Sequence, residues 1–255
     1  MTDKTYKSIL ITGASSGLGK AMAERYAEPD IFLALTGRDA GRLGDVVKIC
    51  QQKGAAVEGK IIDVTDRRAM KDWIEAIDEA HELDLVIANA GVSLQTSGES
   101  DPELAGQRLK EINIDGVLNT LDPIQSKMMA RNKGQIALVS SMAAFRGLPS
   151  APAYAASKAW VKSYGEGLRG RLGRARVGVS VICPGFVQSR ITDLNSFIMP
   201  FFMDSAKAAG IIHKGLAGNK PLIAFPLPMY LLSWTFGNIP AFLADWLSKL
   251  LPEKE

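Results

Sequence analysis

The sequence predicts an α/β fold, a doubly wound parallel sheet with helices on both faces, and three observations lead there. Short apolar runs of strand length recur and end at turn residues, helical stretches separate them, and a glycine-rich turn joins the first run to the first helix. The first run, Ser8–Thr12, stops at Gly13, and Leu18–Ala27 follows with helical character. Ile31–Thr36 is a second run, ending at Gly37-Arg38. Then come a polar helical stretch, the run Val57–Val64, a helix over roughly 66–80 and the run Leu83–Ala88. Gln135–Ser140 and Val177–Cys183 read as buried strands. No repeat and no low-complexity linker divides the chain. Residues 1–225 therefore read as a single domain, with 186–220 a helical lid insertion over the substrate and Pro221–Phe225 a last strand.

Composition narrows the function. With 255 residues, 47% hydrophobic and 22% charged, the chain buries a large core without staples. A net charge of +3, with no block of like charges, gives no reason to expect a nucleic-acid partner. Cys50 and Cys183 form no C-x-x-C, which suits a reducing compartment. The N-terminus reaches its glycine-rich turn too soon for a signal-peptide apolar region, so a cytoplasmic location is expected. His81 and His213 are the only histidines and lack partners at ligand spacing, so no metal site is expected.

Residues 11–20, ITGASSGLGK, fit or nearly fit three unrelated chemistries. A P-loop needs G-x-x-x-x-G-K-[ST], but Ala14 stands at the first glycine and Ala21 offers no hydroxyl to Mg²⁺. Gly13-Ala-Ser15-Ser-Gly17 spells the nucleophile elbow of hydrolases. That elbow sits on a later, inner strand and needs an acid and a histidine, and His213 lies in a stretch with no strand-end signature. The remaining reading is a dinucleotide cradle. Gly13 makes the tight turn, Gly17 lets backbone approach phosphate and Gly19 allows close helix–strand packing. Ser15, Ser16 and Leu18 then complete a loop whose N–H groups face the pyrophosphate. At the end of the second run, Arg38 stands where such folds meet the adenosine ribose. A guanidinium there favours a 2′-phosphate, hence NADP(H) over NAD(H). Asp39 either caps the next helix or weakens that preference.

Tyr154-Ala-Ala-Ser-Lys158 places a phenol and an ammonium at i and i+4 on one helical face. The cation favours phenolate, so Lys158 is expected to lower the Tyr154 pKa from about 10 and make it a proton donor and acceptor. Ser141, just after a strand, offers a hydroxyl to a substrate oxygen.

These motifs, in this order, resemble the short-chain dehydrogenase/reductase family in its compact branch, over about residues 7–190. Thr12-Gly13-Ala-Ser-Ser-Gly17-Leu-Gly19 is similar to its cofactor loop, Asp63-Val64 to its adenine-side acid, and Asn89-Ala90-Gly91 to its NAG motif. Asn113, Ser141, Tyr154 and Lys158 match its catalytic tetrad, and Pro184-Gly185 the turn over the nicotinamide. The resemblance implies a Rossmann-like fold and hydride transfer to or from nicotinamide. Tyr154 would be general acid and base, Ser141 would hold the carbonyl, Lys158 would bind the nicotinamide ribose, and Asn113 would hold a proton-supplying water. Val187 and Ser189 would join the nicotinamide side, Ser189 replacing a more usual Thr. Ser16 stands where some NADP-preferring members carry a basic residue, which leaves Arg38 to carry that preference. The family is commonly dimeric or tetrameric. A non-catalytic nucleotide-binding or redox-sensing module on the same fold is the alternative function.

Phe145 and Phe186 flank the expected catalytic positions, and the lid contains the apolar stretch Ser196–Met203. An apolar ketone, aldehyde or secondary alcohol is the expected substrate. Residues 226–255 form an unusually apolar end. Phe242, Leu243, Trp246, Leu247, Leu250 and Leu251 fall on one helical stripe, but no uninterrupted apolar stretch is long enough to span a bilayer. The segment is expected to pack on the domain, on a partner subunit or on a membrane surface.

Overall fold

The computed structural model describes residues 6–194 and 199–248, with side chains throughout except at 102 and 245–248. The chain opens with β1 (Ser8–Thr12), α1 (Gly17–Tyr26), β2 (Phe32–Gly37), α2 (Ala40–Gln52) and β3 (Ala56–Ile61). There follow α3 (Arg67–His81), β4 (Leu85–Ala88), α4 (Pro102–Lys110) and α5 (Gly116–Ala130), the last two joined by a π-helical turn, Glu111–Asp115. Next come β5 (Gln135–Val139), α6 (Pro152–Gly173), β6 (Gly178–Pro184), α7 (Arg190–Asp193), α8 (Ser205–Ala217) and β7 (Leu222–Phe225). The described chain ends with α9 (Leu227–Asn238) and α10 (Ala241–Ser248).

The strands form one parallel sheet in the order β3-β2-β1-β4-β5-β6-β7. Strands buried on both faces favour apolar side chains at successive positions, which is why β4 and the interiors of β1 and β5 read as apolar runs. Alternation along β1 sends Ile9 and Ile11 to one face, against Met22 of α1 and Ile212 and Leu216 of α8. Leu10 faces the other way, into a cluster with Ile74 of α3, Leu121 of α5 and Leu168 of α6. The strand order reverses between β1 and β4, and the carboxyl ends of the strands splay there into the crevice where such sheets bind ligands.

Two boundaries differ from the sequence reading. The third strand stops at Ile61, not Val64, because Asp63 accepts hydrogen bonds from the Thr65 amide and hydroxyl and turns the chain out of the sheet. The segment 186–220, read as a helical insertion, does not stand apart from the domain over its whole length. α8 is a core helix packed on α1, since Ala208, Ala209, Ile212 and Leu216 repeat at helical spacing on one buried face. Ser196, Phe197 and Ile198 of the predicted lid, and Leu250 and Leu251 of the predicted stripe, lie outside the described residues, as do the side chains of Trp246 and Leu247.

Below the crevice a buried charge pair ties three elements. Asp78 of α3 takes the Leu83 amide at 3.0 Å and the Arg131 guanidinium at 2.8 Å, and Arg131 also donates to Leu83 O. Removing one partner of a buried pair strands the other. Asp78→Ala is therefore expected to lower the stability measured by urea unfolding by about 3 kcal/mol without changing the denaturant dependence. A loss below about 0.5 kcal/mol would show that the pair is not structural.

Candidate active site

The crevice begins at a lock between β1 and β4. Thr12 Oγ1 accepts the amides of Asn89 and Ala90, each at 3.1 Å, while Asn89 Nδ2 donates to Thr12 O at 2.9 Å and Gly13 O at 3.2 Å. The glycine loop closes over this lock. Gly13 takes a left-handed φ of +66°, and a Cβ at Gly19 would lie 2.2 Å from Gly13 O and 2.5 Å from Asn89 Nδ2. The Ala14 amide reaches Thr36 O of β2 at 2.9 Å, fixing the loop to the neighbouring strand. The first turn of α1 carries no acid, and Ser16 at its N-cap makes no side-chain bond to it. That leaves helix N–H groups for an anion.

A cavity of about 1010 Å³ runs from this loop to α9. Gly13, Ser15, Ser16, Gly17, Leu18, Gly19, Arg38, Asp63, Val64, Asn89, Ala90 and Gly91 line it. So do Ser141, Tyr154, Lys158, Pro184, Gly185, Phe186, Val187 and Ser189, with Ser189 beside Gly17 and Lys158 beside Gly91. The free helix end, the cradle that side chains would fill and the cavity volume together fit a dinucleotide.

At the far end of β2, Asp39 caps α2 by accepting the Arg42 amide at 2.9 Å and pairs with the Arg42 guanidinium at 2.8 Å. Arg38 approaches Asp63 only to 3.6 Å, beyond hydrogen-bond length, and half of its side chain is exposed to the cavity edge. Burial pushes the Asp63 carboxyl up, but the two Thr65 bonds, Arg108 and Arg38 outweigh it and hold Asp63 below its ordinary range. Arg42, one helical turn after Arg38, also lines the cavity and was not singled out from the sequence; its spacing after the strand end was the signal.

Ser141 starts a short 3₁₀ turn, its Oγ accepting the Ala143 amide at 3.1 Å, and its hydroxyl acts on the Tyr154 phenol to lower its pKa. Lys158 is anchored by donating to Val139 O at 3.2 Å, and Ser140 Oγ donates to Lys158 O at 2.7 Å. These bonds hold the buried face of α6 against the end of β5. The pKa relation expected from Tyr154 and Lys158 is corrected. Lys158 Nζ lies 5.9 Å from the phenol ring centre, and burial raises the Tyr154 pKa, opposed by Ser141 rather than by the lysine. Burial also lowers Lys158, to about 8.

One further expectation changes, that for Phe145. Asn113 is fully buried behind the cavity wall. Its Oδ1 accepts the Val92 amide at 2.9 Å, and its Nδ2 donates to Val92 O and Ser157 Oγ at 3.0 Å each. It borders Gly91 together with Lys158 Nζ, and the π-helical turn is what brings it there. Phe145 does not line the cavity. Its ring packs edge-on against Tyr230 of α9 at 5.7 Å, with Lys162 over its face. Leu148, Ile191, Met229 and Ser233 do line it, the last two from α9 at i and i+4.

Residues 7–196 match the short chain dehydrogenase family. The chain belongs to this family. An uncharacterized oxidoreductase of Myxococcus xanthus is 37% identical over 227 residues, covering 89% of this chain and 90% of that protein. A short-chain dehydrogenase/reductase of Burkholderia phymatum, solved with NAD, superposes with a TM-score of 0.81 at 25% identity, covering 100% of this chain and 99% of its own. A short-chain dehydrogenase of Sphingobium yanoikuyae, solved with NADPH, shares the fold at a TM-score of 0.78 and 23% identity, with 97% of each chain covered. This short-chain dehydrogenase is thus an NAD(P)-dependent oxidoreductase.

The lowered Lys158 pKa has a stability consequence. Between pH 8 and the unfolded value of 10.5 the unfolded chain binds the proton that the folded chain has released, so stability rises with pH. Cys50 and Cys183, raised by burial to about 11, act in the opposite direction around and above pH 9, and Tyr154 does so above pH 10. Without nucleotide, the wild-type chain is therefore expected to gain stability relative to Lys158→Met from about pH 8 to about pH 10, since the other groups titrate alike in both. Thermal unfolding across this range checks it; identical pH slopes for the two proteins would refute it.

Proposed function

We propose that this chain is an NADP(H)-dependent oxidoreductase interconverting an apolar ketone or aldehyde and the corresponding secondary or primary alcohol. The meeting of Ser141, Tyr154 and Lys158 at the wall of one arginine-flanked cavity carries this reading. When bound, the nicotinamide supplies or takes up the hydride. Gly13 through Gly19 would hold the pyrophosphate at the N-terminus of α1, and Arg38 with Arg42 would meet the 2′-phosphate in fork geometry. Asp63 would lie at the adenine, and Pro184, Gly185, Val187 and Ser189 at the nicotinamide.

The chain's own groups handle the oxygen. Ser141 Oγ donates to the substrate carbonyl oxygen and polarises it, and the Tyr154 hydroxyl delivers the proton. The raised Tyr154 pKa keeps the phenol protonated at neutral pH, the form that carbonyl reduction requires. Lys158, able to shed a proton near pH 8, is placed to restore it along the Asn113 side of the cavity. Leu148, Phe186, Ile191 and Met229 exclude water and favour an apolar body on the substrate.

Tyr154→Phe is expected to lower kcat by at least about 100-fold while nucleotide affinity stays within about threefold, measured by steady-state turnover and fluorescence titration. An active Phe variant would overturn the assignment. Arg38→Ala is expected to weaken NADPH binding by about tenfold or more, equivalent to about 1.4 kcal/mol, and leave NADH unchanged. A wild-type thermal shift larger with NAD⁺ than with NADP⁺ would refute the cofactor preference.

A further inference from the structure

Helix α9 is clamped to the active site on one side and uncovered on the other. A Cβ at Gly185 would lie 2.5 Å from Met229 Sδ, and one at Gly237 would lie 2.4 Å from Phe145 O, so glycine on each partner permits the contact. Arg146 stacks its guanidinium on Phe236 and donates to Ile239 O at 3.5 Å. Met229 and Ser233 face the cavity; Leu227, Leu231 and Trp234 point away, with Leu232 67% exposed at the flank. α10 continues this surface with Leu243 and with Phe242, 71% exposed. Leu194, Phe201 and Phe202, from the lid segment whose Ile191 and Thr192 line the same cavity, are exposed as well.

We propose that the outer face of α9 and α10 docks in the plane of a lipid bilayer, and that the carbonyl compound is an apolar lipid dissolved there. The second half rests on the reductase reading above. What favours a bilayer over a second protein is charge. Residues 221–244 carry no charged side chain at all, from the position after Lys220 to the one before Asp245. Protein interfaces carry polar rims and use charge pairs to set register, and residues 221–244 offer no charge to pair. Of that segment's polar groups, Ser233 faces the cavity, and the exposed Asn238 spends an Nδ2 hydrogen inside the helix, on Trp234 O at 2.7 Å. Hydrocarbon requires such internal satisfaction. Among the described residues no helix is long and apolar enough to cross a membrane, and α9 and α10, of 12 and 8 residues, are separated by Ile239-Pro240. The segment therefore lies in the interface, with Trp234 suited to the headgroup boundary. Because Met229 lines the cavity from this same helix, docking carries the cavity to the bilayer.

The test uses the full chain and uncharged phosphatidylcholine vesicles. Most of the wild-type protein is expected to co-sediment at both about 0.1 M and about 0.5 M NaCl, since no ion pair is involved. The double variant Leu231→Glu, Leu232→Glu is expected to pellet at least about tenfold less, with unchanged thermal unfolding and unchanged kcat/KM on a water-soluble ketone. Phe242→Glu serves as an independent second variant with the same expectation. No wild-type pelleting, loss at high salt, or equal pelleting of the variants would overturn the docking. So would sedimentation equilibrium showing that the wild type self-associates and the variants do not, since a second copy would then cover the face. For the substrate, turnover of a long-chain ketone dissolved in the vesicles is expected to fall about tenfold in the variants while the water-soluble ketone is unaffected. Equal turnover of the vesicle ketone by wild type and variants would overturn the lipid-substrate half. Absence of all ketone turnover with pelleting intact would instead remove the reductase reading and leave the docking standing.

Discussion

The hydrogen bonds from Asn89 to Thr12 and Gly13 hold the whole site in place. A doubly wound sheet opens a crevice where its strand order reverses, here between β1 and β4, and something must fix the width of that opening. Asn89 does so by taking two carbonyls of the glycine loop, while the Thr12 hydroxyl takes two amides of the opposing turn. Four hydrogen bonds thus satisfy backbone groups that would otherwise be left unpaired at the strand ends. They also explain why Gly19 tolerates no side chain: the loop carbonyl and the Asn89 amide already occupy the space where its Cβ would go.

From this fixed edge the proposed catalytic groups are placed by burial rather than by mutual attraction. Lys158 is nearly inaccessible, and its ammonium is held by the Val139 carbonyl at the end of β5. Desolvation moves Lys158 and Tyr154 in opposite directions, each toward its neutral form. A neutral phenol beside a serine hydroxyl and a lysine that releases its proton near pH 8 form a pair suited to donating a proton and regaining it. The π-helical turn lowers Asn113 into the wall, where its amide joins Val92 to Ser157 of α6.

The substrate end is assembled from parts distant in sequence. The turn at Pro184-Gly185 meets α9 at Met229, the loop after Ser141 meets it at Tyr230 and Gly237, and two glycines permit the approach. One helix therefore serves as cavity wall on its inner face and as exposed apolar surface on its outer face. Any body that covers the outer face acts on the cavity through a single rigid element.

The amino-acid sequence by itself determined the α/β class, most strand positions, the glycine loop and the motif residues that line the cavity. These features are local: an apolar run of period two, a glycine at a turn or an i, i+4 pair is set by backbone geometry within a few residues. Even Asp39, which had two readings, is settled by its own neighbour, as the cap of α2. Tertiary structure decided what depends on packing between distant segments. It turned Phe145 away from the cavity onto Tyr230, drew α8 into the core and brought Arg42, Met229 and Ser233 to the cavity. It also reversed the expected direction of the Tyr154 shift, because the cost of burying a charge is set by everything around it, whereas the sequence shows only that a lysine stands four residues away.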